Sequence, residues 1–211
     1  MFEGKEIMDP ALFLRGLVLG FTIAAAVGPI SLLVIRRTLA EGRVVGLVSG
    51  LGVATADGTY GAIAAFGLTA VTALLVDWRR ALGIVGGVFL LWLAYRTFMS
   101  VPGEATAEIE RRRGLPGAYL SMLGLTLTNP LTILSFAALF VGLGVTGGDP
   151  AGATVLTLGV FAGSSLWWLL LTAVLAAFRS RLTTNGMRRI NMASGLLIGA
   201  FALVAIASAL L

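Results

Sequence analysis

The sequence predicts an all-α membrane protein: six transmembrane helices forming two inverted three-helix repeats, with helices broken at Gly-Pro and Asn-Pro. Three observations predict it. The chain is 58% hydrophobic and only 12% charged, with a mean hydropathy of +0.98, values that belong to polytopic membrane proteins. Six apolar runs, roughly 11–35, 44–74, 81–99, 117–141, 151–178 and 187–211, approach or exceed the length a bilayer-spanning helix needs. Two proline breaks interrupt such runs at matched places, Val27-Gly28-Pro29-Ile30-Ser31 and Thr128-Asn129-Pro130-Leu131-Thr132.

The N-terminal residues carry Glu3, Glu6 and Asp9 against Lys5, so the positive region of a signal peptide is missing and the first run is expected to be a mature helix. That run contains Gly28-Pro29. Proline removes a backbone donor and clashes with the carbonyl four residues back. In hydrocarbon this is tolerated only where neighbouring helices, hydroxyls or a wet cavity satisfy the freed groups. The second run carries Asp57 near its middle, and the fourth carries Asn129-Pro130. Between the third and fourth, residues 100–116 hold Pro102, Glu104, Glu108, Glu110 and Arg111-Arg112-Arg113, and read as a surface loop with at most one amphipathic turn. The expected organisation is one transmembrane domain: a first repeat over 1–99, a connecting loop over 100–116 and a second repeat over 117–211.

Basic residues set the orientation. The loops after spans 1, 3 and 5 hold eleven arginines (Arg36, Arg37, Arg43, Arg96, Arg111, Arg112, Arg113, Arg179, Arg181, Arg188 and Arg189), and the other side has only Lys5, Arg15, Arg79 and Arg80. The positive-inside rule then puts odd-numbered loops in the cytoplasm and both termini outside a cytoplasmic (inner) membrane. The net charge of +5 therefore reflects topology and not nucleic-acid binding.

The halves resemble each other. Pro29 and Pro130 are each followed by an apolar residue and a hydroxyl, Ser31 or Thr132. Leu51-Gly52-Val53 recurs as Leu158-Gly159-Val160, a register that sets Asp57 opposite Ser164; Gly83 and Gly87 match Asn191 and Gly195. The offsets of 101, 107 and 108 nearly keep one register. Three spans per half force the halves to insert in opposite directions, the plan of many secondary transporters, whose sites lie at broken helices near the midplane. Small residues at Gly42/Gly46/Gly50, Gly83/Gly87 and Gly195/Gly199 fit close helix packing.

With no cysteine and no histidine, disulfides, thiol chemistry and the commonest metal ligand and general base are excluded. No catalytic residue, cofactor or metal site is expected. Asp57 leads the candidates: a carboxylate at mid-membrane costs about 2.5–3.5 kcal/mol on insertion scales and normally faces a bundle interior or aqueous cavity. Packing against Thr55, Thr59 or Tyr60 is the bland alternative. The breaks at Gly28-Pro29 and Asn129-Pro130 expose carbonyls on one side and a positive helix N-terminus on the other. Ser31, Thr132, Ser135 and Ser164 could line a polar path, although most membrane hydroxyls bond the carbonyl one turn back.

Gly28-Pro29-Ile30-Ser31-Leu32-Leu33-Val34, then Glu41-Gly42-Arg43, then Gly46 to Gly52 leading into Asp57, resembles the signature of the LysE/RhtB amino-acid exporter superfamily. Asn129-Pro130 is similar to the motif opening its second half, and the resemblance spans essentially the whole chain. It implies proton-driven efflux of amino acids or related small zwitterions, with Asp57, Gly28, Pro29, Asn129 and Pro130 lining the route. Branches exporting basic amino acids typically carry an acid about a turn and a half after Asn-Pro; here Ser135 stands there, which favours a neutral substrate. The expected partners are a small-molecule substrate, protons and the bilayer, with a homo-oligomer left open. The rivals are a cation exporter of the same fold and a membrane enzyme or accessory subunit.

Overall fold

The computed structural model describes residues 10–26, 28–66, 77–99, 104–129, 132–133, 135–136, 150–179 and 183–210. Seven helices lie among the described residues: α1 (Pro10–Ala25), α2 (Pro29–Ala40), α3 (Arg43–Ala65), α4 (Arg79–Phe98), α5 (Glu104–Leu127), α6 (Pro150–Arg179) and α7 (Thr184–Leu210). The architecture is all-α. Arg80–Phe98, Pro150–Phe178 and Thr184–Leu210 are long and apolar enough to cross a membrane, and α1 with α2 makes a fourth candidate bent by 79°. By the same standard α3 falls short in composition, because its glycines, hydroxyls and Asp57 dilute its apolar residues, and Gly114–Leu127 falls short in length.

Each break has a local cause. Gly28 ends the α1 run in extended backbone at φ −153° and Pro29 opens α2, the helix position where a missing donor costs nothing. Gly42, at φ 111°, turns α2 into α3 through a region that residues with a Cβ rarely adopt. The segment expected to be a loop differs from that reading: α5 is helical from Glu104 and is interrupted at Gly114, at φ 59°, just ahead of Pro116.

The helices pair α1 with α6, α3 with both α5 and α6, and α4 with α7, while α2 packs among α3, α6 and α7. Glycine makes these approaches. A Cβ on Gly16 or Gly20 would collide with the Leu156 or Val160 carbonyl of α6, and one on Gly159 or Gly163 with the Phe13 or Leu17 carbonyl of α1. Gly52 meets the Tyr119 carbonyl of α5, and Gly195 meets Ala94 and Phe98 of α4. The main core gathers Leu33, Val34, Val53, Ala54, Met122, Leu125, Trp168 and Ile198. Outward positions such as Leu196, Leu203 and Val204 are exposed, as lipid-facing side chains are.

Arg37, in the last turn of α2, is buried. Its Nη1 donates to Ser49 Oγ of α3 at 2.9 Å and to the Ala118 carbonyl of α5 at 3.0 Å, and its Nη2 donates to Ser121 Oγ at 2.9 Å. One guanidinium thus ties three helices.

Candidate functional site

At the first break, the Ala26 N–H reaches back to the Ile23 carbonyl at 3.2 Å, and Leu32 N–H opens α2 by donating to the Gly28 carbonyl at 3.1 Å. Ser31, two residues past the proline, donates its hydroxyl to the Ala26 carbonyl at 2.9 Å. Here the hydroxyl satisfies a carbonyl that the break would otherwise strand. At the second break, Asn129 N–H donates to the Thr126 carbonyl at 3.2 Å and Ile133 N–H to the Asn129 carbonyl at 3.1 Å. The Leu127 carbonyl accepts from Tyr60 Oη at 2.6 Å.

Asp57 lies on α3 between these breaks and is 2% exposed. Its Oδ2 accepts a hydrogen bond from Ser164 Oγ of α6 at 2.7 Å, and Ser164 is itself fully buried. Asp57 and Ser164, which the repeated Leu-Gly-Val aligns between the two halves, are in direct contact here. Thr55 and Thr59 are occupied within their own helix, bonding the Leu51 and Thr55 carbonyls, and Tyr60 is turned to α5.

A cavity of about 80 Å³ brings these elements together. On a scale where one water needs about 10–15 Å³, it holds several waters or a small solute. Its polar wall is made by Ser31, Asp57, Thr126, Asn129, Thr132 and Ser135; Ile23, Ala24, Ile30, Val53 and Trp168 make the apolar wall. Gly28 and Pro29 also line it. Of the residues singled out in the sequence, the structure therefore brings Gly28, Pro29, Ser31, Asp57, Asn129, Thr132 and Ser135 to one cavity. Ser164 stands behind Asp57, and Pro130 lies outside the described residues.

Trp168 and Tyr60 contribute beyond the residues chosen from the sequence, where both read as packing residues. Trp168 is 1% exposed and fits against Gly50, where a Cβ would stand 2.5 Å from the Trp168 Cβ. Tyr60 follows Asp57 by three residues, a spacing that places the two on one helix face. That spacing was the available signal.

A gap of open space also marks the wall. A Cβ added to Gly28 would meet nothing within 4 Å among the described residues, and its backbone is one that any residue adopts before proline. Its smallness leaves cavity room and relieves no backbone strain.

Apolar helices long enough to span a bilayer, with one bent pair and the end of α5 meeting at a cavity that holds Asp57, define an integral membrane protein. The LysE type translocator model matches residues 21–209, and the chain belongs to that family. Its members are transporters, which makes this a membrane transport protein and not an enzyme. It is similar to "Uncharacterized membrane protein YahN" of Escherichia coli (strain K12), 28% identical over 209 residues that cover 96% of this chain and 93% of that one. It is also similar to "Putative amino acid efflux protein YcgF" of Bacillus subtilis (strain 168), 26% identical over 191 residues covering 87% and 90%. No solved structure matches the chain significantly.

Proposed function

We propose that the protein is a secondary exporter of neutral amino acids or similar small zwitterions, working by proton antiport across the cytoplasmic membrane. The observation that carries this is the single cavity shared by Asp57 and both broken helices. A zwitterion needs an anionic partner for its ammonium and a donor-rich, electropositive partner for its carboxylate. Asp57 offers the first. The opening turn of α2, with its orphan amides and positive dipole end, offers the second, and Asn129 adds an amide side chain. In the proposed cycle, ionised Asp57 holds the substrate ammonium on the cytoplasmic side, protonation of Asp57 outside releases the substrate, and the proton travels inward. The apolar wall of Ile23, Ala24, Ile30, Val53 and Trp168 suits an uncharged side chain. The neighbour's name as an amino acid efflux protein is consistent with this substrate class.

The organisation proposed with it is two inverted three-helix repeats, 1–99 and 117–211, joined by a cytoplasmic 100–116 segment, with both termini outside. Two correspondences support it. Leu32 bonds the Gly28 carbonyl as Ile133 bonds that of Asn129. Gly52 abuts the Tyr119 carbonyl and the Leu123 nitrogen as Gly159 abuts the Phe13 carbonyl and the Leu17 nitrogen, so α3 meets α5 in the way α6 meets α1.

Counterflow in proteoliposomes tests the function. Vesicles loaded with a panel of amino acids should take up labelled substrate of the neutral class through the wild type. Asp57→Asn, folded to the same melting temperature, should lose net flux driven by a proton gradient. Wild-type export by that variant would sink the mechanism.

A further inference from the structure

The two breaks share one backbone bond, Leu32 N–H to the Gly28 carbonyl and Ile133 N–H to that of Asn129, and are differently held. In the first, the carbonyl three residues before the proline, Ala26, is capped from within its own bent pair by Ser31. The corresponding carbonyl of the second break is Leu127, the final residue of α5, where helix carbonyls run out of partners. The hydroxyl corresponding to Ser31 is Thr132, which lines the cavity. The carbonyl's donor is instead Tyr60 Oη at 2.6 Å, from the helix that carries Asp57. Tyr60 is 2% exposed, and its ring stacks on Phe136, beyond the break, at 5.4 Å between centroids and 29° between planes. One side chain therefore grips the chain on both sides of Asn129-Pro130.

We infer that Tyr60 is the positioning residue that fixes the second break to α3, and so sets where Asn129 and Thr132 stand relative to Asp57. Its hydroxyl performs at the second break the capping that Ser31 performs at the first. The asymmetry has a mechanical result. A shift of α3 is transmitted to the second break, whereas the first break carries its own fastening. The role in transport rests on the exporter reading above; the fastening itself does not.

Tyr60→Phe keeps the ring and its stack and deletes only the donor. In the full-length protein in lipid, hydrogen–deuterium exchange should rise about tenfold in peptides carrying Asn129 and Ile133 and stay at wild type in those carrying Ala26 and Leu32. Ser31→Ala should give the opposite pattern. In counterflow, Tyr60→Phe should raise KM about fivefold to tenfold, the loss expected for one mispositioned hydrogen-bonding group, and leave the saturated rate within about twofold. Unchanged exchange at the second break, or equal loosening of both breaks, overturns the assignment. The exchange measurement needs no substrate. If wild-type protein exchanges no amino acid but the break-specific pattern appears, the exporter reading fails and the assignment of Tyr60 to the second break stands.

Discussion

Gly28 separates two roles that sequence alone runs together. A Gly-Pro pair looks like a hinge chosen for backbone freedom, yet the extended backbone at Gly28 suits any residue and a Cβ there points at open space. Gly28→Ala should therefore leave the melting temperature in detergent within about 2 °C of wild type. In the counterflow panel it should narrow the accepted substrates toward those with the smallest side chains. Ser164 makes a different forecast. Removing its hydroxyl strips the described donor from Asp57, and Ser164→Ala should cost on the order of 1–2 kcal/mol of stability, seen as a lowered melting temperature, while Ser165→Ala serves as the neighbouring control. The repeated Leu-Gly-Val aligns Asp57 with Ser164 as equivalent positions of the two halves, but that they touch is visible only in the fold. The Tyr60 bond was not legible: nothing local to Tyr60 says that α5 ends against it, and only the three-residue spacing from Asp57 hinted at a shared face.

Between helices, the joints are glycine against carbonyl. Gly20 and Gly163 leave no room for a methyl group, and the obstacle in each case is backbone, which cannot rotate away. Gly20→Ala or Gly163→Ala should destabilise by about 1–3 kcal/mol through overpacking, whereas Gly124→Ala, with nothing within 4 Å among the described residues, should be neutral or slightly stabilising. Thermal unfolding in one detergent compares all three. The small-residue spacings noticed in the sequence included Gly50 and Gly195, both of which sit at close contacts, but passed over Gly16/Gly20 and Gly159/Gly163, where α1 and α6 actually meet. Glycine is so frequent in this chain, 28 residues in all, that spacing alone does not rank one stripe above another. The helix from Glu104 was hidden for another reason. Its Glu and Arg residues read as solvated loop, although Glu108 and Arg112 stand four apart in the order that favours helix.

Over the whole molecule, the arginine distribution and the paired breaks make one forecast. A reporter fused at the C-terminus should be active only if its domain folds outside the cytoplasm, and one placed in the 100–116 segment only if it folds within. The opposite pattern would invert the proposed orientation while leaving the family assignment untouched. The all-α architecture and the break positions were readable because proline in an apolar run has few tolerable contexts. Of the six spans expected from the sequence, three helices among the described residues, or four with the bent pair, are long and apolar enough, because α3 is diluted by polar residues and Gly114–Leu127 is short.

The backbone-to-backbone seams between α1 and α6 have a thermal consequence. Contacts of this kind are held by dispersion and short-range dipoles, and their formation within lipid releases little water from apolar surface. It is that release which gives soluble cores their large heat-capacity change and their weakening on cooling. A bundle joined through glycine should keep its seams nearly as tight near 0 °C as at 37 °C, so its stability curve against temperature should be close to straight where that of a water-soluble protein is domed.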